Sequence, residues 1–338
     1  MIFLLVFATA FLLSLLLAPI AVRIAFRSGA VDRPAPRRVH DKPTPRLGGI
    51  PLFAGFFAAV AVSLWYPRSD PNEMTRLVGL IAGGALMFAI GAYDDHREMP
   101  ALPQLVAQLL AASIAVASGV LIREIANPFG GLIAFEEWFT ILFTLFWLIG
   151  MINTINWLDG IDGLSGGVAV IAGAVMFFHT YRLEQFSIAL LALALVGAVL
   201  GFLPFNFHPA RIFLGSAGAN VLGFSLGVLS IIGGAKVATA LLVLGVPILD
   251  VAWQILNRLW AGRSPFAADR GHLHHRLLDL GLSQRAIVLV YYVFTALFGL
   301  LALILPSGTY KLIALAVIGI GAFLLLVKIR RRIEKPRG

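Results

Sequence analysis

Apolar residues run along this chain in long blocks, with no sustained two- or four-residue alternation between them. Eleven windows come close to the roughly 20 apolar residues a helix needs to cross about 30 Å of hydrocarbon. They lie near 2–25, 48–66, 76–93, 102–120, 137–153, 163–180, 185–204, 218–234, 236–257, 286–305 and 310–329. The windows at 137–153 and 218–234 are the shortest, and the latter is rich in glycine. The pattern predicts an all-α polytopic membrane protein of about eleven transmembrane helices in one domain, 1–338. The first window has no positive residue before it, and its first charge, Arg23, lies at its far end. It is therefore read as a retained helix and not as a signal peptide. Between the fourth and fifth windows the run LIREIANPFGGLIAF is apolar on both sides of Asn127-Pro128 and Gly130-Gly131. It predicts a short external β-hairpin near 121–136.

Composition narrows the class. Hydrophobic residues make up 59% of the chain and charged residues 13%, with a mean hydropathy of +0.92 and no cysteine. This excludes a disordered chain, a basic nucleic-acid-binding domain, a disulfide-built module and a cysteine-ligated metal or iron–sulfur site. The net charge of +9 then reads as topology. With the N-terminus outside and the C-terminus cytoplasmic, 20 of the 26 Lys and Arg fall on the inner side. Only Arg68, Arg76, Arg123, Arg182, Lys236 and Lys311 remain outside. That asymmetry is the positive-inside pattern.

The polar residues that carry chemistry gather on the same inner side. Asp94-Asp95 close the third window, and two adjacent carboxylates at a membrane boundary suit Mg²⁺, a phosphate-bearing ligand or a base. A hydrated helix end is the competing reading. Asn153, Asn156, Asp159 and Asp162 follow within ten residues, each Asp trailed by a glycine that permits close backbone approach. This is the strongest single signal in the chain. His272, His274, His275 and Arg276 stand in the longest inner loop, beside Arg258, Arg263 and Arg270. Zinc is the alternative there, but no cysteine or carboxylate pattern completes a tetrahedral set. Imidazoles and a forked guanidinium suit a diphosphate instead. Lys42 and Arg46, ahead of Gly48-Gly49, are candidates for a lipid phosphate, although juxtamembrane cations are commonly topological. The inner loops 27–47, 94–101, 154–162, 205–217 and 258–285 together form the expected active site.

From VHDKPTPRLGG through NTINWLDGIDGL to HLHHRLLDLG, the chain resembles the polyprenyl-phosphate N-acetylhexosamine-1-phosphate transferases of glycosyltransferase family 4. The HLHHR run is similar to the branch using UDP-N-acetylglucosamine, not the branch making the muramyl-pentapeptide lipid. The resemblance implies a multi-pass enzyme of the bacterial cytoplasmic membrane, with its active site on the cytoplasmic face and Mg²⁺ (or Mn²⁺) as cofactor. It implies transfer of N-acetylglucosamine-1-phosphate, or a related N-acetylhexosamine-1-phosphate, from a UDP-sugar to undecaprenyl or another polyprenyl phosphate. UMP would leave, and the step would open cell-envelope polysaccharide or teichoic acid synthesis. Carried over by motif, Asp94 and Asp95 would bind or deprotonate the lipid phosphate, and Asp159 would sit at the catalytic centre near the metal. Asn156 would support the nucleotide, with Asp162 facing the uracil and Phe213 stacked on it. His272, His274, His275 and Arg276 would hold the diphosphate and sugar. A homodimer is the expected assembly by analogy, and no nucleic acid is expected as a partner.

One departure stands out. Where the family shows Gly-Asp-Ala/Ser-Gly, this chain reads Gly215-Ser216-Ala217-Gly218, so Ser216 occupies the position of the family's metal-binding Asp. An introduced change, altered metal use and an inactive relative are the three explanations, and the expectation is a chain that binds its substrates but turns over poorly. A transporter or flippase is the rival reading, since it too has many spans and intramembrane acids. It would place acids near the bilayer midplane and break helices toward both sides. A prenyltransferase would need two separated acid-rich motifs.

Overall fold

The computed structural model describes the chain apart from residues 34–41, 69, 128, 234–235, 261, 263–271 and 334–338, and gives only the backbone of 236 and 322–333. The chain is mostly helical. Helix α1 spans Ile2–Ser28, followed by the two-residue strands β1 (Val31–Asp32) and β2 (Thr44–Pro45). Helices α2 (Gly49–Ser63), α3 (Glu73–Arg97) and α4 (Ala101–Ala117) lead to strands β3 (Glu124–Ala126) and β4 (Leu132–Ala134). Then come α5 (Glu137–Leu158), α6 (Leu164–Arg182), α7 (Phe186–Asn206), α8 (Gly215–Ile232), α9 (Lys236–Val243) and α10 (Gly245–Trp260). The short α11 (Leu273–Asp279) and the long α12 (Gln284–Ile304) and α13 (Gly308–Ile333) complete the fold.

Every apolar window is helical, because a segment in hydrocarbon must satisfy its backbone within itself. The count of full-length spans differs from the expectation. Among the described residues seven helices are long and apolar enough to cross a membrane, or eight if one bent pair counts as a span. Helices α2 and α4, and α13 over Gly308–Gly321, are shorter apolar helices. The ninth window is that bent pair: α9 and α10 meet at 83°. Gly245 and Pro247 lie at the break, where proline has no amide to continue the helical ladder.

The expected hairpin is present. Strands β3 and β4 pair antiparallel, with Glu124 opposite Ala134 and Ala126 opposite Leu132. Gly130 and Gly131 adopt φ of 110° and 78° in its turn, values open to glycine but unfavourable for other residues. The β1–β2 pair was not foreseen. It joins Val31 to Pro45 within a stretch read as a charged topological loop.

Helix α8 is the axis of the bundle. Nearly all of its residues are buried, and α2, α3, α5 and α6 pack around it. Its first turn is held by glycine contacts: a Cβ on Gly49 would lie 2.6 Å from the Gly218 amide nitrogen. One on Gly91 would lie 2.4 Å from Ala217 Cα. The C-terminal end of α3, the C-terminal end of α5 and the N-terminal end of α8 therefore meet at one end of the bundle. The hairpin closes the other.

Candidate active site

The N-terminus of α8 organises this end. Gly215 takes φ +72°, and a Cβ there would lie 2.5 Å from the Arg46 carbonyl and 2.6 Å from Asp95 Oδ2. Only glycine lets the chain turn into α8 this close to a carboxylate. Asp95, in the last turns of α3, accepts the Ser216 amide at Oδ1 (2.8 Å) and the Ala217 amide at Oδ2 (3.1 Å). It thus satisfies amides that have no partner inside α8 and complements the helix dipole. Asp94 accepts the Ser216 hydroxyl at Oδ2 (2.6 Å), and at Oδ1 the Met99 amide (2.7 Å) and Gln104 Nε2 (2.9 Å). The acid pair is thereby locked between α3, α4 and α8.

Asp159 follows α5 directly. Its Oδ1 accepts the Ser165 hydroxyl at 2.6 Å. Burial pushes its carboxyl up to about 7, and the nearby charges of Asp95 and Asp162 push the same way; the Ser165 hydroxyl and the Gly215 amide work against the rise. Asp162 Oδ2 accepts the Ala210 amide at 3.0 Å and lies 2.8 Å from His208 Nδ1. It ties the turn after α5 to the loop before α8. That loop is laid along β2: the Phe213 amide donates to Pro45 and the Gly48 amide to Phe213. Arg46 is brought across from Phe213 and is paired with Asp32 (3.3 Å) and Glu98 (3.8 Å).

A cavity of about 490 Å³ opens among these groups. Of the residues singled out from the sequence, Arg46, Asp94, Asp95, Asn156, Asp159, Asp162, Phe213, Ser216 and His275 line it. Four others do not. Lys42 is exposed outside the cavity. His272 is buried, with Nδ1 3.0 Å from Asp250 Oδ2. His274 is buried with both ring nitrogens unpartnered, and a Cβ on Gly160 would lie 2.3 Å from its Nε2. Burial, then the neighbouring His275 and His272, push its imidazole down to about 3. Arg276 lies half-buried in α11. The reason is geometric: a motif wound into a helix points successive side chains in different directions, so HLHHR cannot present every member to one ligand.

The loop boundaries also shift. Helix α5 continues to Leu158, so Asn153 and Asn156 are helical, and Asn153 Nδ2 donates to Gln108 Oε1 (2.7 Å) to brace α4 against α5. Arg258 is buried, 5.8 Å from the Trp157 ring centroid, while Arg263 and Arg270 lie outside the described residues. Sequence reasoning missed Asp32, Glu98, Gln104, Asn206 and Gln284, which also line the cavity. Asp250, a lone acid within an apolar window, carries a signal of its own.

The donor chemistry fits a hard divalent cation. Asp159 is a buried carboxyl whose charge its surroundings leave poorly compensated, and Ser216 contributes an oxygen at the α8 N-terminus. Among the described residues no three acidic or histidine groups form a ready-made cage. That suits Mg²⁺, which usually takes one or two carboxylates and completes its shell with water and substrate phosphates.

Residues 77–234, which hold Asp94, Asp95, Asp159 and Asp162, match the family profile described as glycosyl transferase family 4. Over 309 residues the chain is 34% identical to the probable undecaprenyl-phosphate N-acetylglucosaminyl 1-phosphate transferase of Bacillus subtilis (strain 168), covering 90% of this chain and 85% of that protein. The chain belongs to glycosyl transferase family 4. Other members match over similar lengths. The decaprenyl-phosphate N-acetylglucosaminephosphotransferase of Mycolicibacterium smegmatis is 34% identical, covering 91% of this chain and 84% of its own. The undecaprenyl-phosphate alpha-N-acetylglucosaminyl 1-phosphate transferase of Yersinia pestis is 29% identical, covering 83% and 78%. Membership of this family of membrane enzymes sets the transporter and prenyltransferase readings aside.

Proposed function

We propose that this chain transfers N-acetylglucosamine-1-phosphate from its UDP-sugar to a polyprenyl phosphate and releases UMP. A phosphate oxygen of the lipid forms a bond to the sugar-bearing phosphorus as the bond to UMP breaks. The observation that carries this reading is the convergence of Asp94, Asp95, Asp159, Ser216, Arg46 and His275 on one cavity at one end of the bundle, in a chain of this family. The reading includes eleven membrane crossings, the N-terminus outside and this cavity at the cytoplasmic face of a bacterial inner membrane.

Each group has a task its surroundings support. Arg46 binds lipid phosphate at the cavity rim, and Asp94 receives that group beside it. Asn156, Phe213 and Asp162 take the uridine, the first two by amide and ring contacts. Asp162, already accepting from Ala210 and His208, acts mainly by holding its turn in place. His275 contacts the diphosphate. Asp159 and the weaker Ser216 oxygen would hold Mg²⁺, which would supply neutralisation of the diphosphate charge. With Ser216 in place of an acid, we propose slow turnover over intact binding. The test is UMP release from UDP-N-acetylglucosamine with undecaprenyl phosphate in detergent, alongside a thermal shift with UMP. Absence of both responses rejects the reading.

A further inference from the structure

Helix α10 turns three polar or charged side chains inward. Beside Gly245, Pro247 and Trp253 its buried face carries Asp250, Gln254 and Arg258, while Leu256, Leu259 and Trp260 face outward. In a membrane protein polar groups turned inward mark an interior task. Asp250 shows what that task is. Its Oδ1 accepts the Leu273 amide at 2.8 Å, and its Oδ2 meets His272 Nδ1 at 3.0 Å. Both oxygens are thus spent on the first residues of α11. His272, the residue before that helix, makes no side-chain cap of its own. Seven residues are too few to hold a helix by themselves, so α11 depends on such outside anchors.

What α11 carries makes the anchor relevant. The rings of His272 and His274 stack, 5.7 Å apart and 8° from parallel, and the His274 ring lies 4.3 Å from that of His275. His274 abuts Gly160 in the turn that bears Asp159 and Asp162, and His275 lines the cavity. A contiguous series of contacts runs from Asp250 through three imidazoles to the site. We infer that Asp250 is a positioning residue for this histidine motif. It keeps the His272 proton on Nδ1 and sets the register in which His275 reaches the donor's diphosphate. The carboxylate oxygens accept only, so the imidazole must be the donor.

This inference rests on the transferase reading, and the experiment separates the two. Asp250→Asn retains an acceptor for the Leu273 amide but turns an NH₂ toward His272, which forces the opposite tautomer at nearly constant shape. The variant is made in the Ser216→Asp background and assayed for UMP release from UDP-N-acetylglucosamine. Unfolding temperature and the KM of each substrate are measured with it. The expected result is a roughly ten- to hundredfold fall in kcat/KM for the nucleotide sugar, the usual size of an outer-shell loss. The KM for polyprenyl phosphate and the unfolding temperature stay near those of the parent. In a His272→Asn background the same change costs no more than about a further twofold. Parental kcat and donor KM for Asp250→Asn, or losses that multiply in the double variant, overturn the inference. If Asp250→Asn does not fold, His272→Asn alone decides, and parental kinetics for it overturn the inference as well. A parent silent to uridine nucleotides in both assay and thermal shift removes the transferase reading and this inference with it.

Discussion

Ser216→Asp is the sharpest perturbation of the site. The Ser216 hydroxyl donates to Asp94 Oδ2 at 2.6 Å, while its amide caps onto Asp95. A carboxylate at this position loses that donor and faces Asp94 at roughly 4 Å, a repulsion of about 4 kcal/mol at an effective dielectric constant near 20. The α8 dipole returns about 0.3–1 kcal/mol. Protonating one carboxyl at pH 7 instead costs about 4 kcal/mol, from an ordinary value near 3.9. The two routes are nearly degenerate, so the metal-free variant should be destabilised by about 3–4 kcal/mol at pH 7. The penalty shrinks as pH falls and is gone below about pH 3, where the added carboxyl is protonated in both folded and unfolded chains. A divalent cation reverses the sign, because the added charge becomes a ligand. Thermal unfolding in detergent with EDTA or with Mg²⁺, read beside UMP release, checks this. The variant should melt earlier than its parent in EDTA, gain more from Mg²⁺ and turn over at least tenfold faster, about 1.4 kcal/mol in barrier. Identical Mg²⁺ responses and equal rates in the two proteins would refute the reasoning.

Three further outcomes follow from the same geometry. His274→Leu removes a buried imidazole held far below its ordinary range. The folded chain resists a proton that the unfolded chain binds below about pH 6.5, so the titration of His274 costs nothing above that pH and about 2 kcal/mol at pH 5. Asp159 titrates with the opposite sign in the same window and is common to both proteins, so the pH dependence of the gap between their unfolding curves isolates His274; a gap that does not level off above pH 7 speaks against it. Gly215→Ala places a methyl against the Arg46 carbonyl and Asp95 in left-handed backbone. It should lose about 2–4 kcal/mol and most of the transferase rate, whereas a parental melting curve would show that the turn is not constrained. Glu73→Gln, at the hairpin end, removes the charge paired with Arg68 and leaves a single amide oxygen for two donors, Arg68 and the Ser187 hydroxyl. A loss of about 3–5 kcal/mol with both KM values unchanged is expected, and a shift in substrate KM would contradict the distance of this pair from the site.

How far the site was legible varied by residue. Asp94, Asp95, Asp159 and Asp162 stood out because ionisable groups beside apolar windows are costly unless they have a task. The hairpin turn was readable because Asn127 and Gly130-Gly131 have few other uses between apolar runs. Gln104, Asn206 and Gln284 gave no signal, since a single amide near a helix end is as common in packing as in a site. Asp32 and Glu98 were submerged in charged loops whose topological meaning came first. The histidine motif was read as one unit, and helical winding divides it: one member lines the cavity, one is anchored by Asp250, and one is buried against Gly160.

The linear chain by itself determined the class of molecule. Long apolar blocks leave the backbone no option but helices, and charge asymmetry and motif order need only composition and spacing. Tertiary structure alone decided which of those helices are full-length, where the ninth window breaks, and which polar groups meet. Asp94 and Ser216 are 122 residues apart in sequence yet share a 2.6 Å hydrogen bond. That contact exists because glycines let α2 and α3 press on the first turn of α8, a matter of backbone proximity that no local pattern encodes.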